Sequence, residues 1–295
     1  MSSTWDTFLA AVGVRLTRVL DTITAQDTLA HAAGIFLVLL LEVWVLGYSR
    51  SSLSRLLRPT ASARADLFYF GGIVLGYGSI VVTLSSLGLS TISMRLADAY
   101  ASARVLDRVS DPFGRMLLFV LLNDFLQYWV HRARHRWAWW WELHKLHHSA
   151  TEFNAITSSR GHPLDIAAIV IVSSVPLALL GGSVSDFLLL SLVLGAHAAI
   201  SHSMLDWNWG WFGRYVVFSP IGHRIHHSPQ QEHYDKNFGS IFPVWDWLFG
   251  TLYTGEQVNK TVGLENERFN RGVLADMVEG TRGMARVISR RLARR

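Results

Sequence analysis

The stretch from Asp124 to His148, DFLQYWVHRARHRWAWWWELHKLHH, decides how the rest of the chain is read. It places five histidines after an apolar run, as HxxxH at His131 and His135 and as HxxHH at His144, His147 and His148. A second HxxHH follows at His223, His226 and His227, where HRIHHS nearly repeats the earlier HKLHHS. Spacings of three and four put side chains on one face of a helix, so Asp124, Tyr128, His131 and His135 form a stripe. A lone histidine is ordinarily a core or surface residue. Eight in three clusters of ligand spacing are another matter, because packed together without a cation many of their acceptor nitrogens would lack partners. Imidazole suits zinc, copper, iron and nickel. A zinc ion takes about four ligands and an octahedral ion about six, so eight histidines imply two metals. No histidine is followed by glutamate; HExxH is absent, and zinc-protease chemistry is not expected. Bis-histidine haem needs two axial ligands and leaves HxxHH unexplained.

Outward from this stretch the chain is apolar. Half of its 295 residues are hydrophobic and its mean hydropathy is +0.25, which moves the expectation towards a membrane protein. The apolar runs at 29–48, 67–94, 116–130, 166–185 and 187–201 predict an all-α integral membrane fold of about four to five transmembrane helices. Residues 166–201 read as a helical hairpin across the bilayer, turning at Gly181 and Gly182. Glu42, an acid within the first run, should point into the bundle or sit near an interface. Arg50, Arg55, Arg58 and Arg64 mark their loop as cytoplasmic. Five spans then put both histidine-bearing regions, 131–165 and 202–295, on that same side as a cytoplasmic helical cap, together with the C-terminus. Tryptophans 207, 209, 211, 245 and 247 suit a cap at headgroup level.

The formal net charge of +5 lies in short basic segments and a tail with six arginines from Arg282 onward, which fits anionic lipid better than nucleic acid. There are no cysteines, which excludes disulfides and cysteine-ligated clusters. The opening MSSTWDTFLA has no basic residue before its first apolar ones, so a cleaved signal peptide is not expected. The expected organisation is one membrane-embedded catalytic domain over 1–295. Within it, 1–28 is an amphipathic surface segment, 29–115 an N-terminal transmembrane region, 116–255 the histidine-box region and 256–295 a basic tail.

The tracts DFLQYWVHRARH, LHKLHHSATEFNAITSSRGHPLD, ISHSML and HRIHHSPQQEHYDKNFGSIFPVWDWLFGT, spanning Asp124 to Thr251, resemble the membrane-bound fatty acid hydroxylase and sterol desaturase superfamily. The resemblance implies a non-haem diiron enzyme that uses O2 to hydroxylate, desaturate or otherwise oxidise a lipid C–H position. The ligands it implies are His131, His135, His144, His147, His148, His223, His226 and His227, with His202 as a further ligand and His197 a weaker candidate. Met204, where relatives often carry asparagine, departs from the pattern. His162 and His233 lie in family-like tracts and are expected beside the metals or the substrate. Asp124, two turns before His131, is expected to orient a ligand imidazole. Asn237 and Asp246 are read as turn and loop-capping residues. Since there is no GxGxxG, flavin pattern or cysteine cluster, the two irons need an external reduced carrier, of ferredoxin or cytochrome b5 type. Hydroxylation is favoured over desaturation, with a fatty acyl, sterol or ether-lipid substrate. The alternative is a membrane metal-binding or transport protein without oxygenase activity.

Overall fold

A computed structural model describes residues 26–75, 104–265 and 269–294. The N-terminal surface segment, most of the run 67–94 and the first part of 95–115 lie outside the described residues. The described chain is helical: α1 (Gln26–Leu46), α2 (Ser52–Leu57), α3 (Ala61–Val74), α4 (Pro112–Arg136), α5 (Ala138–His148), α6 (Pro163–Leu179), α7 (Val184–Ser201), α8 (Gly210–Tyr215), α9 (Pro220–His226), α10 (Val244–Leu248) and α11 (Val273–Leu292).

The expected four-to-five-span membrane architecture is corrected here: among the described residues, no helix is long and apolar enough to cross a membrane. Several features explain why the apolar runs mislead. The run 116–130 does not end at a membrane boundary but continues within α4 through Arg132, Arg134 and Arg136. α6 has 17 residues with Pro176 inside it, or ~26 Å at ~1.5 Å per residue against ~30 Å of hydrocarbon. The apolar faces are also turned on one another. Ile35 and Val38 of α1 bury against Ala199 of α7 and Ile156, and Phe119 and Val120 of α4 bury with Leu177 of α6 and Leu190 of α7.

The hairpin itself forms between α6 and α7. Gly181 takes a left-handed φ of 100°, a conformation that favours glycine, and Ser183 and Asp186 close a capping box at the start of α7. Arg115 of α4 fastens the turn, donating from Nη2 to the Gly181 carbonyl and to Asp186 at 2.8 Å each. Glu42 is fully buried. Its carboxylate accepts from the amide of Ser52 at 2.5 Å, the hydroxyl of Ser52 at 2.9 Å and the amide of Met204 at 2.6 Å, tying α1 to the segment that follows His202. A second buried carboxylate, Asp66 of α3, accepts from Arg160 Nε at 2.7 Å and from Asn154 and Thr157 at 2.8 Å. Each of these N-terminal helices is thereby fixed to the histidine-bearing region through a buried carboxylate.

Candidate metal centre

Nine histidines from four places in the chain converge into two groups. His131, His135, His144, His148 and His226 form the first, and His147, His202, His223 and His227 the second; within each, one ring nitrogen per residue lies within 4.8 Å of all the others. Two donors on opposite sides of one ion, at metal–nitrogen distances of ~2.1 Å, would be ~4.2 Å apart. The groups adjoin, with the rings of His148 and His227 stacked at 4.2 Å.

The repeated HxxHH has a simple geometric reading. On α5 the i,i+4 pair His144 and His148 serves the first group, while His147 turns to the second. At α9 the pair His223 and His227 serves the second group and His226 turns to the first. Each box thus sends two side chains one way and one the other, as helical spacing of three and four allows.

Main-chain carbonyls hold four of these nine rings. Nδ1 of His131 lies 2.8 Å from the Phe238 carbonyl, Nδ1 of His147 3.0 Å from that of Arg160, Nδ1 of His202 2.9 Å from that of Ala198 and Nδ1 of His226 2.7 Å from that of Lys236. A carbonyl only accepts, so each Nδ1 carries the proton and Nε2 keeps a lone pair. The carbonyls are themselves anchored. Asp246 accepts from the amides of Phe238 and Gly239 at 2.7 Å each, and Arg160 is held by Asp66. Arg224 of the third box donates to the carbonyls of Ser203 and Leu205 at 3.2 Å each, fixing the segment after His202.

The buried Nε2 atoms of His131, His144 and His226, and both ring nitrogens of His227, have no protein partner. Buried polar atoms are rarely left so, and several lone pairs aimed at a shared centre fit a cation. An all-imidazole donor set suits iron, zinc, copper or nickel. Burial, reinforced by neighbouring histidines and Arg134, pushes the first-group imidazoles below the ordinary range, and His202 and His226 fall to about 4. The neutral ring is the form that binds metal.

The other candidates sit elsewhere. Asp124 does not orient a histidine. Its carboxylate accepts from the amides of Ile241 and Phe242 and from Trp245 Nε1 at 2.8–3.0 Å, because two helical turns above His131 the facing partner is the 241–245 loop. Tyr128 lies beside the site, its hydroxyl 2.9 Å from Thr251 Oγ1 and accepting from Arg132. His162 joins neither group and hydrogen-bonds at Nε2 with the Met277 carbonyl and Thr281 of α11. His233 is buried against the Tyr253 ring, and His197 bonds to the Phe218 carbonyl at 3.1 Å. Asn237 and Asp246 cap loop backbone, Asp246 from within α10. Asn237, at φ 57°, bridges Gly222 and Tyr253.

The carboxylate that does meet a ligand-type histidine is Asp165, which sequence reasoning missed. Its Oδ2 lies 3.0 Å from His144 Nδ1, its Oδ1 accepts from Trp140 Nε1 at 2.8 Å, and Arg134 lies 3.5 Å away. The available signal was an acid in the quoted tract RGHPLD. At the mouth of the first group, His135 Nδ1 lies 3.8 Å from Asp235. A cavity of about 360 Å³ lined by His135, Trp141, His148 and His226 opens there.

The titrations predict the acid behaviour of the metal-free protein. A histidine whose folded pKa is about 4, against ~6.5 when unfolded, contributes stability present above pH ~6.5 and lost as pH falls towards ~4, on the order of 3 kcal/mol each for His202 and His226. Asp124 acts oppositely. Burial raises it to about 6, so its contribution is greatest below pH ~4 and declines as pH rises to ~6. The histidines outnumber it, and the urea midpoint of metal-free protein is expected to fall between about pH 7 and pH 5. A midpoint that rises over that interval would contradict the buried neutral cluster.

Residues 116–251 match the family model for fatty acid hydroxylases. Over that region, a little under half of the chain, the protein is similar to the fatty acid hydroxylase family, and its curated relatives support the fatty acid hydroxylase and sterol desaturase superfamily. Among its curated relatives, the chain is 28% identical over 167 residues to an ornithine lipid hydroxylase of Rhizobium tropici, covering 56% of this chain and 50% of that one. It is 30% identical over 150 residues to an alkylglycerol monooxygenase of Caenorhabditis elegans, covering 50% and 29%. To a very-long-chain aldehyde decarbonylase of Oryza sativa subsp. japonica it is 28% identical over 149 residues, covering 50% and 48%. The match therefore spans half or less of each relative's length. No solved structure matches the chain.

Proposed function

We propose that the protein is an O2-dependent oxidoreductase that hydroxylates a lipid C–H position at a non-haem diiron centre. The observation that carries this reading is the pair of adjoining all-histidine groups, with Nε2 lone pairs directed inward, inside the region similar to the fatty acid hydroxylase family. His131, His135, His144, His148 and His226 would hold one iron and His147, His202, His223 and His227 the other. Bound there, the irons would supply O2 activation and removal of hydrogen from the substrate. The protein's own part is placement and exclusion of water. Carbonyl-held imidazoles keep their lone pairs fixed, burial keeps the rings neutral, and the aromatic sides of Phe153 and Phe238 close the centre against solvent. The cavity beside His135, His148 and His226 would admit the substrate. The relatives' names, hydroxylase and monooxygenase among them, support oxygen insertion into a lipid. Electrons would come from an external carrier of ferredoxin or cytochrome b5 type.

Metal analysis of purified protein, with iron restored and lipids supplied under O2 and a reductant, tests the reading. The expected result is two metals per chain and a lipid product heavier by one oxygen. Less than one metal per chain would sink it, as would full iron loading with no lipid oxidised; the latter would favour a metal carrier. Zinc in an overexpressed sample decides nothing by itself, since the affinity order of divalent first-row metals can favour zinc over ferrous iron.

A further inference from the structure

α11 carries a second exposed face that neither the histidine centre nor the core explains. Its buried side, Val273, Asp276, Gly280 and Gly283, packs on α5. At Gly280 a β-carbon would lie 3.2 Å from both the Glu142 carbonyl oxygen and the His162 ring, so the two helices meet almost backbone to side chain. On the open side, Leu274 is 75% exposed, Val278 45%, Ile288 40% and Leu292 67%. At ~100° per residue these four fall within about 40° of one line along the helix, and Thr281 and Ala285 complete the same line.

Cationic residues flank that stripe. At ~100° per residue Arg282 lies about 80° to one side of it and Arg291 about 100° to the other, with Arg286 about 120° and Arg290 about 160° round; all four are exposed, and no acid occurs from residue 280 onward. Arg286 pairs with Glu279, and Asp276 is engaged with the amides of Asn270 and Arg271. The second half of the helix therefore presents an apolar line flanked by Arg282 and Arg291, while Arg286 is engaged by Glu279 of the first half. A straight apolar stripe with arginines on its flanks matches a flat surface with an anionic, phosphate-bearing skin and an apolar interior.

We propose that α11 seats the domain on an anionic lipid surface, its Leu274–Val278–Ile288–Leu292 stripe entering the headgroup region and its arginines binding lipid phosphates. The seat lies in the surface plane and crosses nothing. Since α11 packs on α5, which carries His144, His147 and His148, the contact would hold the histidine centre at a set distance from lipid.

Flotation of the purified full-length protein with phosphatidylcholine vesicles, with and without phosphatidylglycerol, tests this. Wild type is expected to float with the anionic vesicles, to bind neutral ones much more weakly, and to be released by salt. The pairs Leu274→Asp with Ile288→Asp and Arg282→Glu with Arg291→Glu should each weaken anionic binding at least about tenfold. All four positions are exposed, so metal content should be unchanged; it is read on the same samples, together with oxidation of detergent-dispersed lipid. Wild-type binding indifferent to anionic lipid, or both variant pairs floating like wild type, would overturn the proposal. Loss of oxygenase activity throughout the series, with flotation as expected, would instead count against the catalytic reading alone.

Discussion

His226→Ala is expected to empty the first metal position and abolish lipid oxidation, leaving about one metal per chain. The ring of His226 lies 4.4 Å from that of His131 and 4.8 Å from those of His135 and His148, in the middle of the first group. Its Nδ1 is committed to the Lys236 carbonyl, so the unpartnered Nε2 is its one contribution to the centre. Changing a residue that merely supports a ligand commonly costs ~10–100-fold in metal affinity, and loss of the ligand itself should cost at least about 100-fold. His147→Ala should do the same to the second position and leave the first loaded. His197→Ala provides the control, because that half-buried histidine belongs to neither group and the variant should keep both metals. Two metals and unchanged activity in the His226 variant would refute the assignment.

The second large effect is expected at Asp165. Asp165→Ala leaves Arg134, 9% exposed, without its carboxylate, Trp140 Nε1 without its acceptor, and His144 Nδ1 free to turn. A buried charge stripped of its partner costs ~3–5 kcal/mol, and the first metal should bind ~10–100-fold more weakly. Asp165→Asn separates the two consequences. It retains an acceptor and the shape, so the hydrogen bonds of Trp140 and His144 and part of the stability should survive, while Arg134 loses its counter-charge and metal retention against a chelator falls. Equal metal affinity in the Asp165→Asn variant and wild type would reduce Asp165 to a purely structural residue.

The histidines were legible because ligand spacing on a helix is a local property: three and four residues apart means one face, whatever the rest of the chain does. Their division was not legible. That His147 leaves its neighbours to join His202, His223 and His227 depends on how α5 meets α9. The same limit explains Asp124 and Asp165. Helical phase rightly put Asp124 on the stripe of His131 but could not show that a loop from 241 to 245 covers that level. Asp165 reaches His144 across 21 residues, a closeness that only tertiary structure creates. The apolar runs misled for a related reason, since hydrophobicity records that a segment is buried without recording what buries it. In α1, α4 and α7 a large part of the answer is one another.

The reliance on peptide carbonyls to aim His131, His147, His202 and His226 has a genetic consequence. A carbonyl is present whatever amino acid bears it, so exchanging the exposed part of Lys236 leaves the acceptor for His226 in place. What those rings cannot survive is a change in chain count. One residue inserted between positions 227 and 236 would shift the acceptor while every side chain remained, so drift along this stretch should be rich in replacements and poor in indels.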